Sequence, residues 1–225
     1  TAARLFSNNV ALTGEVTLGD LVNSGSLTLA GTMSMLGAGS LTLLSNAILS
    51  GAIGGSLGLT KAGTGELTLA GVNTFAGTFN VTAGSVTLAG GSAVSNATAV
   101  SLASSTSLKL AASEEIASLA GAGALNLQGN TLTLGGSAST AYSGVISGSG
   151  ALVKSGSGLL ALSSANLHTG GVRLSAGTLQ LGNNAALGSG TLTLTGGRVT
   201  TDSVNVRTLT NSLDIAGTVG FGDVT

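Results

Sequence analysis

Displaced by 93 residues, the chain matches itself: Ser50–Leu88 falls on Ser143–Leu181, and 16 of those 39 positions carry the same residue. The shared residues are Ser50, Gly51, Ile53, Gly55, Ser56, Leu59, Lys61, Gly63, Gly65, Leu67, Leu69, Asn73, Gly77, Ala83, Gly84 and Leu88, each with a counterpart 93 positions on. Glycines, alternating leucines and one asparagine dominate, which are scaffold letters rather than reaction letters. Self-similarity on this scale marks a repeat architecture, in which each unit buries its apolar face against the next.

A shorter beat runs through and between the copies. Apolar-x-apolar triplets recur as "VTL" 16–18, "LTL" 27–29, "LTL" 41–43, "LTL" 67–69, "VTL" 86–88, "LKL" 108–110, "LNL" 125–127, "LTL" 132–134, "LAL" 160–162, "LQL" 179–181 and "LTL" 192–194. Each reads as a short strand whose outer two residues share one face and whose central Thr, Lys, Asn, Ala or Gln lies on the other. Clusters of Gly, Ser, Asn and Ala separate them and mark turns.

Composition decides that these strands pack. High Gly and Ser suggest disorder, but a disordered chain has low hydrophobicity and high net charge, whereas here 43% of residues are apolar and the net charge is −1. With 2% aromatic residues, the core has to be aliphatic, which suits a narrow interior. Charged residues make up 7% against about 25% in an average globular domain, so an ordinary enzyme domain is not expected. The uncharged stretch from Leu21 to Thr60 is no membrane span, because the longest apolar run is the four residues Leu159–Leu162 and a spanning helix needs about 20. The first twenty residues do not resemble a secretory signal. The absence of cysteine excludes disulfides.

Triplets 19 residues apart, at 67 and 86 and again at 160 and 179, give the length of one coil. A β-sandwich would show strands with hairpin turns every 8–12 residues, and Asn-Gly and Asp-Gly turns are missing. A parallel β-helix accounts for more: a column of aliphatic side chains inside, glycine at tight corners, and no proline to break a ladder with neighbours above and below. At roughly 20 residues per coil, about eleven coils spaced ~4.8 Å apart make a rod ~50 Å long.

"SGVISGSGALVKSGSGLLALSSANLHTGGVRLSAGTLQLG" and "SGAIGGSLGLTKAGTGELTLAGVNTFAGTFNVTAGSVTLAG" resemble the passenger-associated transport repeat of bacterial type V autotransporters. "LKLAASEEIASLAGAGALNLQGNTLTLGG" and "LTNSLDIAGTVGFGD" resemble sequence found between such repeats. The aromatic corner departs from the pattern, with Phe75 in one copy and His168 in the other where the family has Tyr. The resemblance implies a right-handed single-stranded parallel β-helix, carried across the outer membrane of a Gram-negative bacterium by a C-terminal β-barrel. Residues 1–225 are then expected to be a single β-helical passenger fragment, with related units at 50–88 and 143–181 and the barrel translocator outside this chain.

A search for chemistry finds no site. His168 is the one histidine and takes the slot that Phe75 fills in the sister copy, so it reads as a corner residue. No G-x-S-x-G elbow accompanies it. The carboxylates Glu15, Asp20, Glu66, Glu114, Glu115, Asp202, Asp214 and Asp223 are dispersed. Glu114 and Glu115 are adjacent, so in a strand they point to opposite faces and do not converge as a glycosidase pair must. Arg173, Arg198 and Arg207 read as a scattered basic face rather than one side of a lyase groove. No G-x-G-x-x-G, G-K-[ST] or calcium nonapeptide occurs, and seven basic residues with one tyrosine offer nucleic acid little to hold. No catalytic, cofactor-binding or metal-binding residue is expected.

The reading that remains is a passenger exposed on, or secreted from, the bacterial surface. It acts as a non-enzymatic adhesin, aggregation or biofilm fibre toward host or matrix components, glycans or other copies of itself. The alternatives are an inert stalk presenting another domain and, behind it, a segment of a polysaccharide-degrading enzyme or toxin.

Overall fold

The computed structural model describes residues 3–19, 25–37, 39–202 and 206–222. Every strand pairing among them is parallel, and no helix interrupts them. The chain winds as a parallel β-solenoid with three faces. The first face is an eight-stranded sheet from Arg4–Phe6 to Ile146–Ser147, and the second an eleven-stranded sheet from Glu15–Leu18 to Gly220–Phe221. The third begins with Val10–Leu12, Met33–Met35 and Ile53–Gly54 and resumes with six strands from Glu114–Ile116 to Leu213–Ile215.

Period-two patterning builds each face. In Gly39–Leu43, for example, Gly39, Leu41 and Leu43 are buried while Ser40 and Thr42 are not. The inward leucines, valines and isoleucines stack rung upon rung into one core that runs from Leu12 to Val199. Small corner residues let coils approach closely: a Cβ at Gly51 would stand 1.9 Å from the Gly31 carbonyl oxygen, and one at Gly71 2.4 Å from that of Gly51.

The two repeat copies do not lie on the same faces. In the first copy Leu59–Ala62 belongs to the second face and Glu66–Leu69 to the first, whereas their counterparts Leu152–Lys154 and Leu159–Leu162 belong to the third and second. A displacement of 93 residues is therefore not a whole number of coils but leaves the second copy turned by one face. Its consequence shows at the segment around the repeat asparagine, which is not a strand in either copy. That segment interrupts the third face in copy one and the first face in copy two. Among the described residues, the second face alone is strand from end to end.

Candidate interaction surface

Where the ladder lapses, side chains take over its hydrogen bonds, since a buried amide without a partner is strongly unfavourable. Asn73 Oδ1 accepts from the Ile53 amide one coil below at 2.7 Å, and its Nδ2 donates to the Ala93 carbonyl one coil above at 2.7 Å. Asn166 does the same on the first face, between the Ile146 amide at 2.8 Å and the Ala186 carbonyl at 2.6 Å. One coil beyond Asn73, the Ala93 and Val94 amides donate to Glu114 at 3.1 and 3.2 Å. Burial pushes the Glu114 carboxyl above the usual carboxylate range, and these amides partly offset the rise. Glu115 points outward, so the adjacent pair faces opposite ways and forms no catalytic dyad.

Two buried lysines were not legible as such. Lys61 is 0% exposed and Lys154 also lies in the core. Lys61 Nζ donates to the carbonyls of Ala62, Gly63 and Ala83 at 3.0, 2.7 and 3.0 Å, and Lys154 Nζ to that of Gly156. Burial lowers the Lys61 pKa to about 8 and lowers that of Lys154; at neutral pH Lys61 remains charged and its three protons have three acceptors. The available signal was the phase of alternation, because Leu59 and Lys61 share the inward side.

His168 is 0% exposed, like Phe75. Neither ring nitrogen has a hydrogen-bond partner, and burial lowers its pKa. The ring is packed in the interior as Phe75 is in the sister copy. Tyr142, also buried, donates to the Gly123 carbonyl at 2.5 Å.

Arg207 departs from the expectation of a solvated basic face. Arg173 lies outward on the third face, Arg198 lies on the second and donates to the Gly222 carbonyl at 2.8 Å, and Arg207 is largely buried and paired with Asp202. Asp20 and Asp223 fall outside the described residues. Among the described residues, no three His, Asp or Glu side chains come together as metal ligands, and no helix is long and apolar enough to cross a membrane. A cavity of about 250 Å³ opens near the last coils, walled by Leu181, Leu192, Val199 and Phe221 with Arg207 at its side. Leu181, Leu192 and Val199 belong to the core column while Phe221 is exposed, and the Arg207 guanidinium is engaged by Asp202.

What distinguishes one surface from the others is its lack of charge and bulk. On the second face, one outward row runs Ser40, Thr60, Asn80, Ser101, Ala120, Ala141, Ala161 and Gln180. Beside it runs Thr42, Ala62, Thr82, Ala103, Ala122, Ser143, Ser163 and Gly182, placed by the continuing ladder. Neither row contains a charged or aromatic residue over eight rungs. The first face, by contrast, presents Glu66, Ile48 and Lys109, and the third Glu115, Val153, Arg173 and Asp214. The hydroxyls of Thr82 and Ser143 donate to the carbonyls of Lys61 and Gly121 at 3.0 and 3.3 Å.

Fold and surface together define a three-faced β-solenoid. The passenger-associated-transport-repeat family matches at residues 59–88 and 152–181. The chain is 42% identical over 175 aligned residues to the adhesin BmaC autotransporter of Brucella suis biovar 1 (strain 1330), an alignment that covers 68% of this chain and 5% of that protein. No solved structure matches. The chain is an autotransporter passenger domain sequence carrying two passenger-associated transport repeats.

Proposed function

We propose that this chain is an adhesive, non-enzymatic part of a passenger exported to the cell surface, and that its second face is the contacting surface. The observation that carries the reading is the pair of uncharged, small-residue rows spanning eight rungs while the other faces are charged or interrupted. Similarity to a protein named as an autotransporter adhesin supports it. A long, flat surface without a pocket makes many weak contacts, and attachment then comes from the number of molecules engaged. The translocating barrel and the ligands of the whole protein belong to the same proposal, since the aligned region spans only 5% of that adhesin.

Displaying residues 1–225 on a non-adherent bacterium tests the reading against an unrelated solenoid of equal length. Attachment to matrix- or glycan-coated surfaces, or clumping of the cells, is expected only for this chain. Equal behaviour of the two strains would establish the stalk reading instead, and cleavage of a defined sugar would remove both.

A further inference from the structure

His168 is the one titratable residue in the strand-free stretch 163–171, where copy two interrupts the first face. The stretch is held to the coil below by the Leu167 and Thr169 amides, which donate to the carbonyls of Ile146 and Gly148 at 2.7 and 3.0 Å. Asn166 bridges both neighbouring coils, and the Ser189 amide of the coil above donates to the His168 carbonyl at 3.1 Å. Between these anchors the imidazole is fully buried with neither nitrogen partnered. Beside Nδ1 lies Gly188, where a Cβ would stand 3.0 Å away, so position 188 gives the ring no acceptor side chain.

We infer that this stretch is an acid-opened joint: protonation of His168 releases residues 163–171 from the coils on either side, while the equivalent break of copy one, which carries Phe75 instead, stays closed. An imidazolium has two N–H donors for which the core holds no acceptor, whereas in the opened stretch water supplies both. Residues 145–150 below and 183–190 above contain no titratable side chain. Of the strands that complete these coils, Leu159–Leu162 and Thr178–Leu181 carry none, Val172–Leu174 carries Arg173 facing outward, and Thr140–Tyr142 and Leu152–Lys154 turn Tyr142 and Lys154 inward. Tyr142 is engaged with the Gly123 carbonyl and Lys154 with that of Gly156, and no carboxylate stands among them. One coil farther on, Asp202 and Arg207 are paired with each other.

Burial keeps the folded-state pKa of His168 below the ordinary 6.5. Below pH 6.5 the open stretch therefore takes up the proton more readily than the closed one, and its population rises by at most about tenfold per pH unit. Copy one has the same break, with Asn73 in place of Asn166 and no titratable group in residues 70–78. Glu114, which accepts the Ala93 and Val94 amides of the coil above that break, has its carboxyl held above the usual range by burial. Protons there bind the folded form more readily than the open one, so acid does not favour opening.

The test is native-state hydrogen exchange of residues 1–225, read amide by amide by NMR at pH 7.5 and pH 5 and corrected for the intrinsic pH dependence of exchange. Circular dichroism verifies that wild type and variants stay folded at both pH values. Protection of the Leu167, Thr169 and Ser189 amides is expected to fall about tenfold or more at pH 5, while the copy-one counterparts Thr74 and Ala76 keep theirs. His168→Phe should abolish the acid response. His168→Gln, a polar side chain that takes up no proton in this range, should show the same protection at both pH values. Unchanged wild-type protection at pH 5, equal loss in the two breaks, or an acid response that survives either substitution overturns the inference.

Discussion

Asn73 receives the backbone amide of Ile53 on its Oδ1 at 2.7 Å, and both groups are buried. The bond crosses from one coil to the next at a level where the sheet is interrupted, and the amide of the same side chain continues to Ala93. Asn166 repeats the arrangement on another face with Ile146 and Ala186. Replacing Asn73 by Leu leaves one donor and one acceptor buried without partners, at about 1–3 kcal/mol each, so a loss of roughly 2–6 kcal/mol is expected. Urea unfolding measures it, and Asn73→Asp, which keeps the acceptor, should lose less than Leu. A Leu variant as stable as wild type would refute the role given to this side chain.

Lys61→Met preserves length and removes the ammonium from three carbonyls. A destabilisation of about 2–4 kcal/mol is expected at pH 7, whereas the exposed Lys109→Met should stay within roughly 0.5 kcal/mol. Equal effects of the two substitutions in chemical denaturation would contradict the assignment.

His168→Phe should raise stability, by about 1 kcal/mol or more, because two unpartnered ring nitrogens leave the core. The sister copy carries Phe75 packed edge-on against Phe79, with centroids 6.1 Å apart; the counterpart of Phe79 is the smaller Val172, which leaves room. The effect depends on pH. Burial depresses the folded-state pKa below the ordinary 6.5, so between those two values the unfolded chain binds more protons and wild type loses stability as pH falls. The advantage of the Phe variant over wild type should therefore widen below pH 6.5. Glu114, whose raised pKa acts in the opposite direction on acidification, is common to both proteins and cancels. Parallel stability-versus-pH curves would rule this out.

Gly51→Ala places a methyl 1.9 Å from the Gly31 carbonyl oxygen, a backbone atom that cannot swing aside. A Cβ at Gly14 meets nothing within 4 Å. Thermal unfolding should show a loss of several degrees for Gly51→Ala, corresponding to about 1–3 kcal/mol, and no loss for Gly14→Ala.

The sequence by itself determined the strands, the aliphatic core and the coiled architecture. Alternation places Leu67 and Leu69 on one side and Thr68 on the other wherever the chain is extended, and the absence of proline and hairpin turns leaves parallel stacking as the arrangement that satisfies every ladder. It also exposed the separation of Glu114 from Glu115, since adjacent residues in a strand cannot share a face. Tertiary structure decided what depends on the accumulated winding. The face on which a strand falls is set by the summed lengths of all the turns before it, which is why Lys61 and Lys154, equivalent in the repeat, lie on different faces. For the same reason the uncharged rows come from residues about 20 positions apart, whose alignment no local pattern reveals. Burial of Lys61 depends on the Ala83 carbonyl, delivered 22 residues later by the next coil, and that of Glu114 on amides 20 and 21 residues earlier. A lysine or glutamate is polar in the sequence; only the neighbouring coil supplies the partners that let it sit in the core.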